Sequence, residues 1–137
     1  MNVIVDTNVF ASGLINPKGI PRKIINYWKT GRIKLCLSQT IVDEYVIVLK
    51  RLKIVDQEEL EVFLRLLAQG YNAVFTHNTP TLKIVDSDPD DDKFFECAVA
   101  LKAEHIISGD KAVLAVGKYF NIEVVSPKTF VERMASG

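Results

Sequence analysis

Short apolar runs alternate with longer amphipathic stretches along this chain. Runs of mostly β-branched or otherwise apolar residues with abrupt polar ends are typical of strands buried inside a parallel sheet. Clear runs of this kind occur at Asn2–Val5, Lys34–Leu37, His105–Ile107 and Ile122–Val125. Tyr71–Phe75 is a weaker strand candidate, and Leu82–Val85 fits either an edge strand or an irregular extended segment.

Between these runs, apolar residues recur at the spacing of an amphipathic helix. Pro21 opens the first predicted helix, and Thr40 caps the second, with Asp43 at the third helical position as in a capping box. The first predicted helix ends at Gly31 and the second at about Leu52. Four further helices are predicted: from Asp56 to Gly70, from about Asp91 to Ala103, near Lys111–Tyr119, and from Ser126-Pro127 onward. Strands alternating with helices predict an α/β fold, a three-layer α/β/α sandwich with a mainly parallel central sheet.

The composition fits one ordinary globular domain over residues 1–137. The chain is 48% apolar and 25% charged, and no apolar run is long enough to span a bilayer, so we expect no membrane role. We expect a cytoplasmic protein, since no signal peptide is recognisable at the N-terminus. The two cysteines, Cys36 and Cys97, fall in a predicted strand and a predicted helix, where they fit small buried hydrophobes in a reducing compartment.

Charge is balanced overall but unevenly distributed. Lys and Arg total 17, as do Asp and Glu, yet residues 1–53 carry a net charge of +6 and the remainder −6. Ordinary solvated helix faces explain this pattern as well as a functional surface does. The functional interpretation is a basic surface beside an acidic site. Such a surface would bind a polyanion and bring it to metal ions held by the acids.

Two acidic residues stand directly beyond predicted strands. Asp6 follows Asn2–Val5, and Asp110 follows His105–Ile107 after Ser108-Gly109. In an open α/β sheet, ligands bind beyond the carboxyl ends of the strands. Each aspartate also fits a helix cap, with Asn8 as a polar neighbour of Asp6. If the two pack together, they repel each other unless a metal ion or a shared proton intervenes.

Two further acids come from helices. Glu44 shares a helix face with apolar residues such as Ile41 and Val48, so it points along the buried stripe, although a position near a helix N-terminus also favours an acid. In the acidic run 86–92, Asp91 precedes Phe94, Phe95 and Ala98 at helical spacing and is the preferred candidate; Asp92 is the reserve. An EF-hand is excluded because Lys93 stands where such a loop needs Gly.

Other common catalytic arrangements are absent from the sequence. It contains no H-E-x-x-H motif, no phosphate-binding G-x-x-x-x-G-K-S/T loop and no recognisable Ser-His-Asp or Cys-His set. His77 lies in a predicted turn and His105 enters a strand, so both are expected to be incidental. The carboxylates are individually weak signals, but their order along the chain is informative.

The order of these carboxylates resembles the PIN-domain family. The matching segments are Val5-Asp6-Thr7-Asn8-Val9, Ser38-Gln39-Thr40-Ile41-Val42-Asp43-Glu44, Asp88-Pro89-Asp90-Asp91-Asp92-Lys93-Phe94-Phe95-Glu96-Cys97-Ala98 and Ser108-Gly109-Asp110-Lys111. The resemblance covers nearly the whole chain and is closest to compact toxins of prokaryotic toxin–antitoxin pairs. It implies an acidic site of Asp6, Glu44, Asp91 and Asp110, with Asn8 and Asp92 in support. Many relatives have Asn where Asp92 stands, which favours Asp91.

The resemblance implies a metal-dependent endoribonuclease that hydrolyses RNA phosphodiester bonds. Mg²⁺ or Mn²⁺ is expected, because hard cations prefer oxygen ligands and four carboxylates supply them. One ion activates a water, and a second would stabilise the leaving oxygen. Asp6 is expected to bridge, with Asp91 beside it; Glu44 and Asp110 ligate directly or through water. Substrate phosphates would lie on basic residues of the N-terminal half.

Two other functions remain open from the sequence. A PIN fold that binds a partner without cutting is one, because Ala112 stands where relatives often carry another acid. An aspartate-based phosphatase or phospho-acceptor domain is the other, but such phosphatases need a second Asp where Asn8 stands. The expected partners are RNA, a small antitoxin protein that inserts a basic side chain among the acids, and further copies of the chain. A homodimer or higher homo-oligomer is expected because the second and third predicted helices carry surplus apolar residues.

Overall fold

A computed structural model describes residues 1–136 of the chain. Its elements in chain order are β1 (Asn2–Val5), α1 (Thr7–Ile15), α2 (Ile20–Lys29), β2 (Lys34–Ser38), α3 (Gln39–Lys50), α4 (Gln57–Ala68), β3 (Ala73–Thr76), a 3₁₀ turn (Pro89–Asp91), α5 (Asp92–Leu101), β4 (His105–Ile107), α6 (Lys111–Val116), β5 (Lys118–Tyr119), β6 (Ile122–Val125) and α7 (Pro127–Ser136). The predicted α/β fold is confirmed.

The strands form one six-stranded sheet in the order β3-β2-β1-β4-β6-β5. All neighbouring strands are parallel except β5, which runs antiparallel to β6. From β1 the chain continues outward through β2 to β3, and it returns to the other side of β1 to add β4 and β6. The strand order therefore reverses beside β1, and the loops that leave β1 and β4 open a crevice at this point.

Helices cover both faces of the sheet. Val3, Ile4 and Val5 of β1 alternate between the two faces, and all three are fully buried. Helix α5 packs across β1, β2, β3 and β4, whereas α1 packs on α2, and α2 packs on α7. This double coverage explains why the central strands are continuous apolar runs without polar alternation.

An aromatic cluster fixes the helices α1 to α4 against one another. Phe10 contacts Trp28, Tyr45 and Phe63 at ring-centroid distances of 6.0, 5.3 and 5.0 Å. The Tyr45 hydroxyl donates a hydrogen bond to the carbonyl oxygen of Val5. The last residue before Asp6 is thereby tied to α3, the helix that carries Glu44.

Helix α1 is not predicted by the apolar periodicity. Its buried residues include Thr7, Val9, Phe10, Ala11, Gly13 and Leu14, which surround most of the helix. A helix that is apolar on most sides lacks the amphipathic stripe that identifies other helices. The side chain of Asp6 caps it by accepting a hydrogen bond from the backbone N–H of Asn8.

Several predicted boundaries are wrong in detail. Ser38, not Thr40, caps α3: its hydroxyl accepts from the N–H of Ile41. Asp43 makes no capping box and instead accepts a hydrogen bond from the amide of Gln39. The helix predicted near Lys111–Tyr119 stops at Val116, because Gly117 turns the chain with φ of +71° into the short strand β5.

Other expectations are met. The α4 cap at Asp56 is confirmed, since its carboxylate accepts from the N–H of Glu59 at 3.1 Å. Cys36 and Cys97 are buried free thiols, and burial raises the pKa of each to about 12. Within residues 1–136, every helix is too short or too polar to cross a lipid bilayer.

Candidate active site

The candidate acids stand at the carboxyl edge of the central strands. Asp6 follows β1, and Asp110 follows β4, the parallel neighbour of β1. Asp91 ends the 3₁₀ turn that leads into α5, and Glu44 lies in the second turn of α3. The crevice at the reversal of strand order is therefore bordered by four elements that each carry one acid.

Asp6 is the most enclosed of these acids, with only 5% of its surface exposed. One carboxylate oxygen accepts from the Ser108 hydroxyl at 2.7 Å, and the other from the Asn8 N–H at 3.3 Å. Burial raises the pKa of Asp6 above its usual value; the two hydrogen bonds oppose the rise, and the nearby Glu44 and Asp110 carboxylates add to it. The site thus holds a carboxylate whose charge is only partly compensated.

Ser108 links Asp6 to Asp110. It is fully buried, and its oxygen accepts from the Asp110 N–H at 3.0 Å while its hydroxyl donates to Asp6. Asp110 in turn caps α6 by accepting from the N–H groups of Ala112 and Val113 at 2.8 and 3.3 Å. Asp110 is therefore a helix cap, as one of the two sequence interpretations expected. Both capping hydrogen bonds go to the same carboxylate oxygen, and the second oxygen makes neither of them.

Asp91 lies within electrostatic range of Asp6 and Asp110. Burial raises its pKa to about 7, and the Asp88, Asp6 and Asp110 carboxylates add to the rise, with Lys93 opposing it. Among the described residues, no Lys or Arg forms an ion pair with Asp6, Asp91 or Asp110. These three acids consequently share a region of uncompensated negative charge.

Glu44 is in a different situation, because both of its carboxylate oxygens have partners. One oxygen accepts from the Thr7 hydroxyl, and the other lies 2.7 Å from the ammonium of Lys93. Lys93 also contacts Asp90, at 2.9 Å from its carboxylate and 2.8 Å from its backbone carbonyl oxygen. The charge of Glu44 is thus compensated from within the protein.

Asp92, the reserve candidate, has a structural contact. It is buried, and one oxygen accepts from the backbone N–H groups of Ile84 and Val85 at 3.0 and 2.8 Å. One turn later, Glu96 accepts from the N–H of Leu82 at 2.9 Å. These bonds replace a strand partner for the 82–85 segment, which is extended but not part of the sheet. Asp92 therefore points away from Asp91, as helical spacing predicts.

The donor types at this edge fit a divalent cation, but the side chains are not gathered around one point. Carboxylate oxygens are the ligands that Mg²⁺ and Mn²⁺ prefer. The charge of Asp110 adds to the raised pKa of Asp6, and the charges of Asp6 and Asp110 add to the raised pKa of Asp91. In residues 1–136, however, no three His, Cys, Asp or Glu side chains are close enough together to hold one ion. Two compensating contacts explain part of this: Lys93 draws Glu44 aside, and backbone amides hold Asp92.

A groove of about 670 Å³ adjoins Asp110. It lies between the starts of α1, α6 and α7, and Asn8, Ser12, Asp110, Lys111 and Pro127 are among the residues that line it. Asn8 is exposed at the first turn of α1. The groove therefore offers polar side chains and a surface open to solvent directly beside Asp110.

Sequence reasoning missed three residues that organise this edge: Thr7, Lys93 and Ser108. Ser108 stands two residues before Asp110, so the Ser-Gly-Asp spacing could have suggested it. Lys93 follows Asp90 by three residues, a spacing at which helical side chains meet. Nothing local indicates that Lys93 and Thr7 both reach Glu44, because these contacts join distant parts of the chain.

Comparison with known proteins identifies the relatives of this chain. Residues 2–112 match the family model described as PIN domain. The chain is also 34% identical over 142 aligned positions to the protein named "Uncharacterized protein MJ1680" of Methanocaldococcus jannaschii, an alignment that covers 96% of this chain and 90% of the relative. PIN domains are generally nucleases that use divalent metal ions. From its fold, the order of its acids and these matches, the chain belongs to the PIN-domain family.

Proposed function

We propose that this protein is an endoribonuclease that hydrolyses RNA phosphodiester bonds with Mg²⁺ or Mn²⁺. The observation that carries the proposal is the placement of Asp6, Asp91 and Asp110 along one edge of the sheet without an ion pair to any Lys or Arg of residues 1–136. A raised carboxylate pKa, about 7 for Asp91, is what a site prepared for a cation would produce before the cation binds.

Asp6 and Asp91 would hold the metal, with Asp110 in support and Glu44 acting directly or through water. An ion held by these residues would supply a bound water of lowered pKa and a positive charge for a phosphoryl oxygen. Ser108 would keep Asp6 oriented through its hydrogen bond of 2.7 Å. Carboxylates held by such bonds lose less conformational freedom when they bind a ligand.

RNA would approach along the groove beside Asp110. Asn8, Ser12 and Lys111 give this groove donors for phosphate oxygens. The N-terminal part of the chain, with its net charge of +6 over residues 1–53, would add long-range attraction for a polyanion. Arg22 of this segment pairs with Glu59 at 2.6 Å, so the attraction would come from its other basic residues.

The biological role we propose is that of a toxin in a toxin–antitoxin pair, acting in the cytoplasm as a homodimer or higher homo-oligomer. The support is the resemblance to compact PIN toxins and the apolar residues exposed on α3 and α4. Ile47 and Val62 are 52% and 39% exposed on these helices. A small antitoxin would inhibit by placing an arginine among the acids, because its planar fork matches carboxylates in pairs.

The test is cleavage of a mixed RNA pool by the purified protein, with Mg²⁺, with Mn²⁺ and with EDTA. We expect cleavage with either metal and none with EDTA. Binding of the RNA without any cleavage would point instead to a PIN fold that only binds. Hydrolysis of a simple phosphate monoester, with the RNA left intact, would favour an aspartate-based phosphatase.

A further inference from the structure

Lys93 is an ammonium group built into the acidic edge of the sheet. Only 6% of its side chain is exposed, although Lys is almost never this buried unless it is paired. Its ammonium lies between two carboxylates, 2.7 Å from Glu44 and 2.9 Å from Asp90. The positive charge is therefore a fixed part of the site.

The contacts of Lys93 continue through Glu44 to the helix that begins beside Asp6. The Lys93 ammonium lies 2.7 Å from one Glu44 oxygen, and the Thr7 hydroxyl donates to the other. Thr7 is the first residue of α1, directly after Asp6. Helices α5, α3 and α1 are thus joined by one polar chain that ends next to the most buried acid.

Both oxygens of Glu44 have a partner, and one of these partners is a positive charge. A cation bound directly to Glu44 would compete with the Lys93 ammonium for the charge of the same carboxylate. Weakening this ion pair would leave the buried Lys93 charge uncompensated, which is unfavourable. No such competition arises at Asp6, Asp91 and Asp110, because they have no ion pair to a Lys or Arg within residues 1–136.

We propose that Lys93 is a positioning residue that acts as the permanent counter-ion of Glu44, so that Glu44 supports the site through Lys93 and Thr7 and does not bind the metal directly. The inference rests on the proposed metal-dependent function and refines it. The positive charge of Lys93 offsets the negative charge of Glu44. The net negative charge of the site is thereby lowered, and the affinity of the site for divalent cations depends on this charge. It also keeps the start of α1 in place under Asp6.

An RNA-contacting role for Lys93 fits the structure less well. A phosphate-binding Lys projects into solvent, whereas the ammonium of Lys93 is enclosed by a carboxylate on each side. The exposed Lys111, in the groove beside Asp110, is the type of residue that contacts phosphate. The two roles make different predictions, because a phosphate contact affects RNA binding but leaves the affinity for a metal ion in the absence of RNA unchanged.

The experiment measures Mn²⁺ affinity in the absence of RNA, by titration calorimetry, for the wild type, Lys93→Met, Glu44→Gln and the double variant. Removing one charge near a cation site at a protein surface changes the affinity by about tenfold. We therefore expect tighter Mn²⁺ binding for Lys93→Met, weaker binding for Glu44→Gln, and an affinity close to that of the wild type for the double variant. Lys50→Met, at an exposed position of α3, is the matched control and should bind as the wild type does.

The double variant decides between the explanations. If Glu44 is a direct ligand, the double variant binds Mn²⁺ clearly more weakly than the wild type, because removal of the Lys93 charge does not replace the lost ligand, and the proposal is overturned. Unchanged Mn²⁺ affinity in all variants, with only lower melting temperatures, would also overturn it, since Lys93 would then be merely structural. Should Lys93→Met fail to fold, the comparison of Glu44→Gln with the charge-balanced double variant still gives the answer.

Failure of the proposed nuclease function would look different. A wild type that binds Mn²⁺ but leaves RNA intact contradicts the nuclease proposal, while the variants still test the role of Lys93. A wild type that cleaves RNA, combined with a double variant that stays weak, contradicts only the role of Lys93. A wild type that binds no Mn²⁺ at all overturns both.

Discussion

Asp6→Asn tests the proposed site most directly. The substitution removes one charge but keeps the shape and an oxygen acceptor, so the cap on the N–H of Asn8 survives: Asn and Asp are equivalent N-caps. If Asp6 binds a divalent ion, cleavage should fall by more than about 100-fold, since loss of residues that only orient metal ligands already costs about 10–100-fold. Mn²⁺ affinity should fall as well, because a hard-cation site loses a full charge.

The structure also gives the expected change in stability. The Asn amide has a single acceptor oxygen, so when that oxygen keeps the Asn8 N–H, the amide nitrogen faces Ser108. The 2.7 Å hydrogen bond donated by the Ser108 hydroxyl is then lost or reversed, which costs about 1 kcal/mol. Against this, the net pKa of Asp6 is raised, so its surroundings disfavour the charged form over a neutral one. A neutral side chain should therefore leave the metal-free protein at pH 7.5 equally stable or more stable, and each 1 kcal/mol gained raises the melting temperature by about 4 °C for a domain of this size.

The assay is single-turnover cleavage of a fluorescent RNA over a range of Mg²⁺ concentrations, with melting curves in EDTA and in Mg²⁺. Asp43→Asn is the matched control, because Asp43 is exposed on α3 and contacts only Gln39 among the side chains. It should cleave as the wild type does. Retained cleavage in Asp6→Asn would refute the proposed site. Lost cleavage together with a markedly lower melting temperature in EDTA would mean that Asp6 is needed for folding.

Three further predictions follow from the carboxylates and the helix surfaces. The pKa of Asp91 is about 7 in the folded protein, above its ordinary value of 3.8, so between about pH 4 and 7 the folded state holds a proton that the unfolded chain has released. Urea unfolding should therefore show the wild-type stability falling as the pH rises through this window, and the stability of Asp91→Asn should fall less. Asp92→Ala should lower the stability by about 2–3 kcal/mol, because two backbone N–H groups lose their acceptor; faster proteolysis within 82–85 would accompany it, and Asp92→Asn, which keeps an oxygen, is its control. Light scattering at tens of micromolar should give a dimer or larger; a monomeric mass would contradict association through α3 and α4.

Local sequence signals identified most of the elements of this fold. The strand Asn2–Val5 and the strand His105–Ile107 have the predicted bounds, because a buried parallel strand is apolar on both faces and ends abruptly. The α4 cap at Asp56 is likewise a contact between residues three apart. Helix α1 was missed for the same kind of reason: burial on most sides removes the periodicity on which the prediction depends.

The sequence also placed Asp6 and Asp110 at the ends of strands, and it favoured Asp91 over Asp92 from helical spacing alone. It could not show that β1 and β4 are neighbours, and this pairing is what brings Asp6 and Asp110 to one Ser108 hydroxyl. Strand order is decided by packing between segments that are far apart in the chain, so no local pattern contains it.

What only the tertiary structure decided is which acids already have a partner. Glu44 looked equivalent to the other acids in sequence, but α5 packs against α3 and delivers the Lys93 ammonium to it across 49 positions of the chain. Asp92 finds backbone amides of a neighbouring extended segment in the same way. The sequence determines which helix or strand end carries each charge. Whether that charge is compensated depends on groups within a few ångströms of it, and only the packing of distant segments brings those groups together.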